Sequence, residues 1–433
     1  MTEIVAILKE HAALLGAFAA IAGVIFPGIN LILKLRRSRD EIDSLHGKID
    51  ERTKALGKAE EVVAQLRTDL DQTTLNLEAR IRSKEELNQE LTTQLEDSAE
   101  KLLSHDQKIR NQQNSISRML KLEGRFWNQK PRKSVPKFRR LLDRNMAIIS
   151  VFNLKGGVGK TTCCANLASA FVERGYRVLM LDLDLQGSLS SMFVPPDLVA
   201  ERAKAKRLMN DFLRNAANGR KMNLLPFLEP VLEDSGSAIA ATSDLMAYAE
   251  LNLTMQWMLR LGSKDTRFLL RRALHQRRIQ RRFDVVLIDC PPLINTCCVN
   301  ALAASDYVLT PVTPSRKVAE RVTKLLHNLH ELKSVINPDL QMLGMFLNRT
   351  YSWTPTAKER ELWDTLQQQC QDIGQPIHAF KTLIPQTTEV RDNETVFGSP
   401  EKGSDLYKSF GKLVLEMEER LPGECRRIPA ASN

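Results

Sequence analysis

Residues 151–166 read VFNLKGGVGKTTCCAN, a glycine-rich turn set between an aliphatic run and a helix-forming stretch. Gly156, Gly157 and Gly159 carry no side chains, so successive backbone N–H groups can curve around a phosphate chain at a helix N-terminus. In such a loop, completed by Val158 and Thr162, Lys160 supplies a point charge to the β- and γ-phosphates and Thr161 a hydroxyl for Mg2+. Two residues depart from the common spacing. A second lysine, Lys155, precedes Lys160 by five positions, and Leu154 stands where the loop's first glycine is usual.

From Ala147 onward, the runs AIISVFN, RVLMLDLD, FDVVLIDCPP, YVLTPVTP and MLGMFLNRT alternate with helical stretches, the first near 160–173. Buried aliphatic strands separated by helices predict an α/β domain with a mostly parallel sheet covered on both faces. Asp182 and Asp184 fall at the carboxyl end of one strand and Asp289 at the end of another, where ligands collect in open α/β sheets. Asp289 can orient the Mg2+ shell, and a carboxylate near the γ-phosphate can orient water for in-line attack. One such aspartate alone reads as a helix cap. Three in step with the loop read as a triphosphate site.

In order along residues 147–420, KGGVGKTT, LDLDLQGS, FDVVLIDCPP, AASDYVLTPVTPS, LNRT, IPQTTEV and NETVFGSPEKGSDLY resemble the ParA/MinD family of deviant Walker ATPases. The resemblance implies a P-loop (deviant Walker) domain that uses ATP and Mg2+, pairs face to face around the nucleotide, and is reset by slow, partner-stimulated hydrolysis. It implies that Lys155 reaches the phosphates held by the partner subunit, and it accounts for Leu154, because the family's loop starts at this lysine. On the same basis Asp184 matches the carboxylate that orients attacking water, Asp182 a neighbour of the Mg2+ site, and Asp289 the Walker B acid. Asn348 and the backbone near Pro385 match the adenine-recognition positions. Leu185 departs from the family's usual proline but leaves Asp184 in place.

The family's common partition members have nothing like residues 1–146. Residues 12–33, AALLGAFAAIAGVIFPGINLIL, contain no charge over 22 positions, about the length that spans a ~30 Å hydrocarbon core as helix. Lys34, Arg36, Arg37 and Arg39 follow it, which predicts a downstream chain on the cytoplasmic side of the inner membrane. A buried oligomerisation helix, with Pro27, Gly28 and Asn30 inside it, is the alternative. Leu35, Ile42, Ile49, Leu56, Val63, Leu70 and Leu77 then keep heptad spacing, and Leu102, Ile109 and Ile116 resume it after a stutter. These predict a dimeric coiled coil or, alternatively, a charged helix folded back as a hairpin. Pro131, Pro136 and a basic composition mark a linker, whose Phe126, Trp127 and Phe138 are expected to dock on the next domain. The domains are therefore an apolar helix at 1–34, a coiled coil at 35–122, a basic linker at 123–146 and the ATPase domain at 147–433.

The 62 Lys and Arg against 52 Asp and Glu favour a polyanionic partner. Arg267, Arg271, Arg272, Arg277, Arg278, Arg281 and Arg282, drawn as one helix, predict a cationic face for non-specific DNA binding, with a plain solvated face as the alternative. The seven cysteines form no zinc spacing and read as small buried hydrophobes. The leading function is a membrane-tethered, homodimeric ATPase switch that positions or partitions DNA or a protein complex, with a ParB-like or other activating partner. The alternatives are a nucleotide sensor in phage defence, a nucleotide-stabilised scaffold, an iron–sulfur carrier, and a polysaccharide-export tyrosine kinase. Five tyrosines without a C-terminal cluster weaken the kinase reading.

Overall fold

The computed structural model describes residues 39–121, 126–220, 222–232, 235–315, 318–372, 377–386 and 404–422. The apolar stretch 12–33 lies outside them, and among the described residues no helix is long and apolar enough to cross a membrane. The chain divides into two compact units, Met1–Gln107 and Lys108–Asn433.

A single helix of 82 residues runs from Arg39 to Leu120, about 120 Å at 1.5 Å per residue. It has no internal break, so residues 39–120 contain no turn for a hairpin. Of the heptad residues, Leu56, Val63 and Leu77 are half-buried, while Leu70, Leu102 and Ile109 are exposed.

The second unit is built on an eight-stranded sheet: β1 (Ala147–Val151), β2 (Val178–Asp182), β3 (Glu229–Pro230), β4 (Ala238–Ala240), β5 (Val285–Asp289), β6 (Tyr307–Val312), β7 (Gln341–Thr350) and β8 (Ile384–Pro385). Their order is β3-β4-β2-β5-β1-β6-β7-β8, with every pair parallel except β3–β4. The aliphatic runs are buried on both faces, as continuous hydrophobic strands require. Alternation within a strand divides the core. Ile148, Val286 and Ile288 face a cluster with Met246, Leu270 and Leu302, whereas Ile149, Val285 and Leu287 face Leu167, Phe171, Phe410 and Leu413. Cys163, Cys164, Cys290, Cys297, Cys298 and Cys370 are free thiols buried in these layers.

The arginine-rich stretch does not form the single cationic helix expected of it. It breaks into Thr266–Phe268, Leu269–Leu274 and Arg277–Gln280. Arg267 is fully buried on Asp265, and Arg271 is buried with its guanidinium on the carbonyls of Ala303 and Ile336. Arg272 donates to the Ser134 carbonyl at 2.7 Å. Only Arg277, Arg278, Arg281 and Arg282 of the seven are exposed. Arg267 and Arg272 hold the linker through backbone carbonyls of residues 127–134, while Arg271 binds the ends of two covering helices.

His275 closes the same seam. Its Nδ1 accepts the Arg139 N–H at 3.2 Å and its Nε2 meets the Ala304 carbonyl at 3.0 Å, an arrangement that needs a neutral ring with the proton on Nε2. Burial, with the Arg144 charge second, lowers its pKa from 6.5 to about 3. The unfolded chain therefore binds a proton that the folded chain refuses below pH ~6.5, so stability falls as pH falls through that window. About 2 kcal/mol should be lost between pH 7 and 5 from this group. Urea midpoints across that range are expected to slope less steeply for His275→Gln than for the parent.

Candidate functional site

Strand register assembles the site. Val151 lies opposite Asp289, and Asp289 opposite Asp182, so three strand ends meet where the glycine loop leaves β1. The loop turns through left-handed backbone at Gly157 (φ +73°) and Gly159 (φ +80°), conformations that glycine adopts without strain. A Cβ on Gly159 would lie 2.6 Å from Asn348 Nδ2, so this turn is closed to any side chain. Gly159 caps the helix Lys160–Glu173, whose first N–H groups open into a cleft of about 420 Å3. Gly156, Gly157, Gly159, Lys160, Thr161, Thr162 and Asp184 line it, joined by Pro292 and Arg349.

The buried Lys160 has its ammonium 3.4 Å from the Lys155 carbonyl, across the mouth of the loop. Lys155 is only half-buried; its backbone N–H is held by Asn153 Oδ1 at 2.9 Å. Partial burial, then the charges of Arg321 and Arg349, lower the Lys155 pKa. A cluster of cations without an intervening acid among those influences is a setting for a polyanion.

The three aspartates differ. Asp182 is fully buried and receives the Ser190 N–H at 2.8 Å, the Ser190 hydroxyl at 2.6 Å and the Asp184 N–H at 3.2 Å. Its pKa is pushed up to about 6, chiefly by burial, with the Ser190 bonds opposing. Asp182 thereby ties the loop 183–187 to the helix Ser188–Phe193. Asp184, half-buried, faces the cleft and is braced by the Gln186 N–H at 3.3 Å. Both Asp289 oxygens are buried without a well-formed hydrogen bond, and burial followed by the Asp182 charge raises the pKa well above the usual range. The Thr161 hydroxyl acts in the opposite sense on Asp289. A carboxylate orphaned in this way, with a threonine hydroxyl beside it, fits the donor set of Mg2+, a hard cation that takes oxygen ligands.

Asn348, expected at the adenine, stands behind the loop and donates to the Val158 carbonyl at 2.7 Å. Pro385 is buried on β8, in register with Thr350 of β7. Arg349 was not singled out by sequence. Its backbone is left-handed (φ +59°) and its guanidinium donates to the Gly157 carbonyl at 2.8 Å. The signal for it was adjacency, since it follows Asn348 in LNRT.

A family described as an AAA domain matches residues 146–342. The chromosome-partitioning ATPase Soj of Thermus thermophilus is 30% identical over 275 residues, covering 64% of this chain and 90% of that protein. This chain belongs to the ParA/MinD family of ATPases. The chromosome partitioning protein ParA of Myxococcus xanthus is 29% identical over 280 residues, covering 63% of this chain and 88% of its own. The structure of apo McdA from Cyanothece, at 18% identity, shares the fold with a TM-score of 0.51 over 63% of this chain and 99% of that one. As a P-loop ATPase of this family, the chain uses ATP and Mg2+ as its cofactors. The family match begins at residue 146, after the long helix Arg39–Leu120.

Proposed function

We propose that this chain is a membrane-tethered ATPase switch in which two subunits close on ATP, are read by a partner in that state, and separate after hydrolysis. Residues 12–33 tether it to the cytoplasmic side of the inner membrane, the heptad-bearing helix pairs with a second copy, and the ATPase unit positions DNA or a protein complex. The names of the relatives, chromosome partitioning proteins, support a positioning role. The observation that carries the switch is Lys155, half-buried at the start of the glycine loop, its N–H held by Asn153 and its carbonyl 3.4 Å from the Lys160 ammonium, with Arg321 and Arg349 as its charged neighbours.

Lys160 and the loop N–H groups hold the phosphates, Thr161 and Asp289 hold the cation, and Asp184 orients water and accepts its proton. Mg2+, when bound, neutralises charge on the β- and γ-phosphates. Lys155 projects to the partner's phosphates, so loss of the γ-phosphate removes a contact between subunits and shifts the equilibrium toward separation.

Coexpression tests the exchange of Lys155. Lys155→Ala and Asp184→Ala chains should each be inactive alone. In a mixed dimer, one nucleotide keeps its own Asp184 and receives Lys155 from the other subunit. Statistical mixing should then restore about a quarter of wild-type hydrolysis. No restoration in dimers shown to be mixed would mean that Lys155 serves its own subunit, and the switch as described would fall.

A further inference from the structure

The family match begins at residue 146, yet an earlier side chain reaches the loop that follows the Walker B strand. That loop leaves β5 at Asp289, sends Pro292 into the cleft and ends where Asn295 caps the helix Thr296–Ala304. Its far end is well fixed: Asn295 accepts the Cys298 N–H at 2.9 Å, and the Thr296 N–H reaches Glu250 at 3.2 Å. Its near end contains Pro291 and Pro292. These lack N–H groups, so beyond the Cys290 N–H, which reaches the Val151 carbonyl at 3.3 Å, these two positions add no backbone donor to tie the loop down.

Trp127 supplies a donor from outside. Its indole N–H donates to the Ile294 carbonyl at 2.9 Å. The ring is clamped, stacked on Trp257 at 5.0 Å and 18° and met edge-on by Phe126 at 4.8 Å. The backbone around it is clamped too. Arg267 donates to the carbonyls of Trp127 and Gln129 at 3.0 and 2.7 Å, and the Arg132 N–H reaches Asp265 at 3.2 Å.

We propose that Trp127 is a positioning residue for ATP hydrolysis: its N–H holds the loop 291–295 so that Pro292 keeps its place at the phosphate end of the cleft. The proposal rests on the ATPase reading of that cleft. It makes the segment before the family's boundary part of the catalytic unit, since the misplacement of a supporting loop by about 1 Å can cost up to ~100-fold in rate.

The test uses the full chain. Trp127→Phe keeps an aromatic ring against Trp257 and removes the donor. Benzothienylalanine at the same position, introduced by amber suppression, replaces the N–H with sulfur while preserving the bicyclic shape. Both should lower kcat about tenfold while KM stays within twofold, with wild-type melting temperature. In chains labelled with 5-fluorotryptophan, the Trp127 resonance, assigned by its loss in Trp127→Phe, should shift on adding a non-hydrolysable ATP analogue and Mg2+. Wild-type turnover in the benzothienylalanine protein, or a resonance that stays fixed while the analogue binds, overturns the proposal and leaves the ATPase reading intact. A parent chain that neither binds nor hydrolyses ATP overturns that reading and this proposal with it.

Discussion

Asp184→Ala is expected to hydrolyse ATP about 100- to 1,000-fold more slowly than the parent chain, the range typical of losing a positioned acid–base group. The reason is placement. Asp184 faces the cleft shared with Lys160 and Thr161. Its backbone N–H is tied to Asp182, its carbonyl takes the Gly187 N–H at 3.2 Å, and its carboxylate is braced by Gln186. The loop thus presents a carboxylate to the cleft, where the proposed mechanism puts the attacking water, and alanine removes that acceptor while leaving the glycine loop whole. Binding of a fluorescent ATP analogue should change little, and the variant should accumulate in the ATP-bound form. Phosphate release within about fivefold of the parent would remove Asp184 from the chemistry.

The largest effect on stability is expected at Arg267. Its fully buried guanidinium forms a two-pronged pair with Asp265 at 3.0 and 2.8 Å and lies 4.8 Å from the Trp257 ring centroid. Arg267→Met removes the countercharge from the buried Asp265 carboxylate and takes a donor from the carbonyls of Trp127 and Gln129. Breaking a buried pair from one side costs about 3–5 kcal/mol. Arg278, exposed in the short helix Arg277–Gln280, should tolerate the same replacement within about 0.5 kcal/mol. Changing both partners, Asp265→Leu with Arg267→Met, should recover part of the loss, because no lone charge then remains buried. Urea unfolding of these chains decides the matter. A parent-like midpoint for Arg267→Met would contradict the role assigned to it.

The contrast between these two arginines shows where sequence reading succeeds and where it stops. The glycine loop, the helix after it and the aspartates at strand ends are local patterns, and their physics acts over a few residues. The structure accordingly has β1, the helix Lys160–Glu173 and Asp289 at the positions read from the sequence. The sequence predicts a mostly parallel sheet; the structure adds the register that sets Asp182 against Asp289. The arginines could not be sorted this way. Whether Arg267 faces water or a buried carboxylate depends on carbonyls 138 to 140 residues away, and charge density alone gives no sign of burial.

The buried cysteines have a practical consequence. Burial raises the thiol pKa of Cys163, Cys164, Cys290, Cys297 and Cys298, which flank the glycine loop and the Walker B strand. Only the thiolate reacts with alkylating reagents. These five sulfurs are therefore silent while the sheet and its covering helices stay closed, and alkylation mapped to any one of them times an opening of the layers around the glycine loop, with no label engineered into the protein.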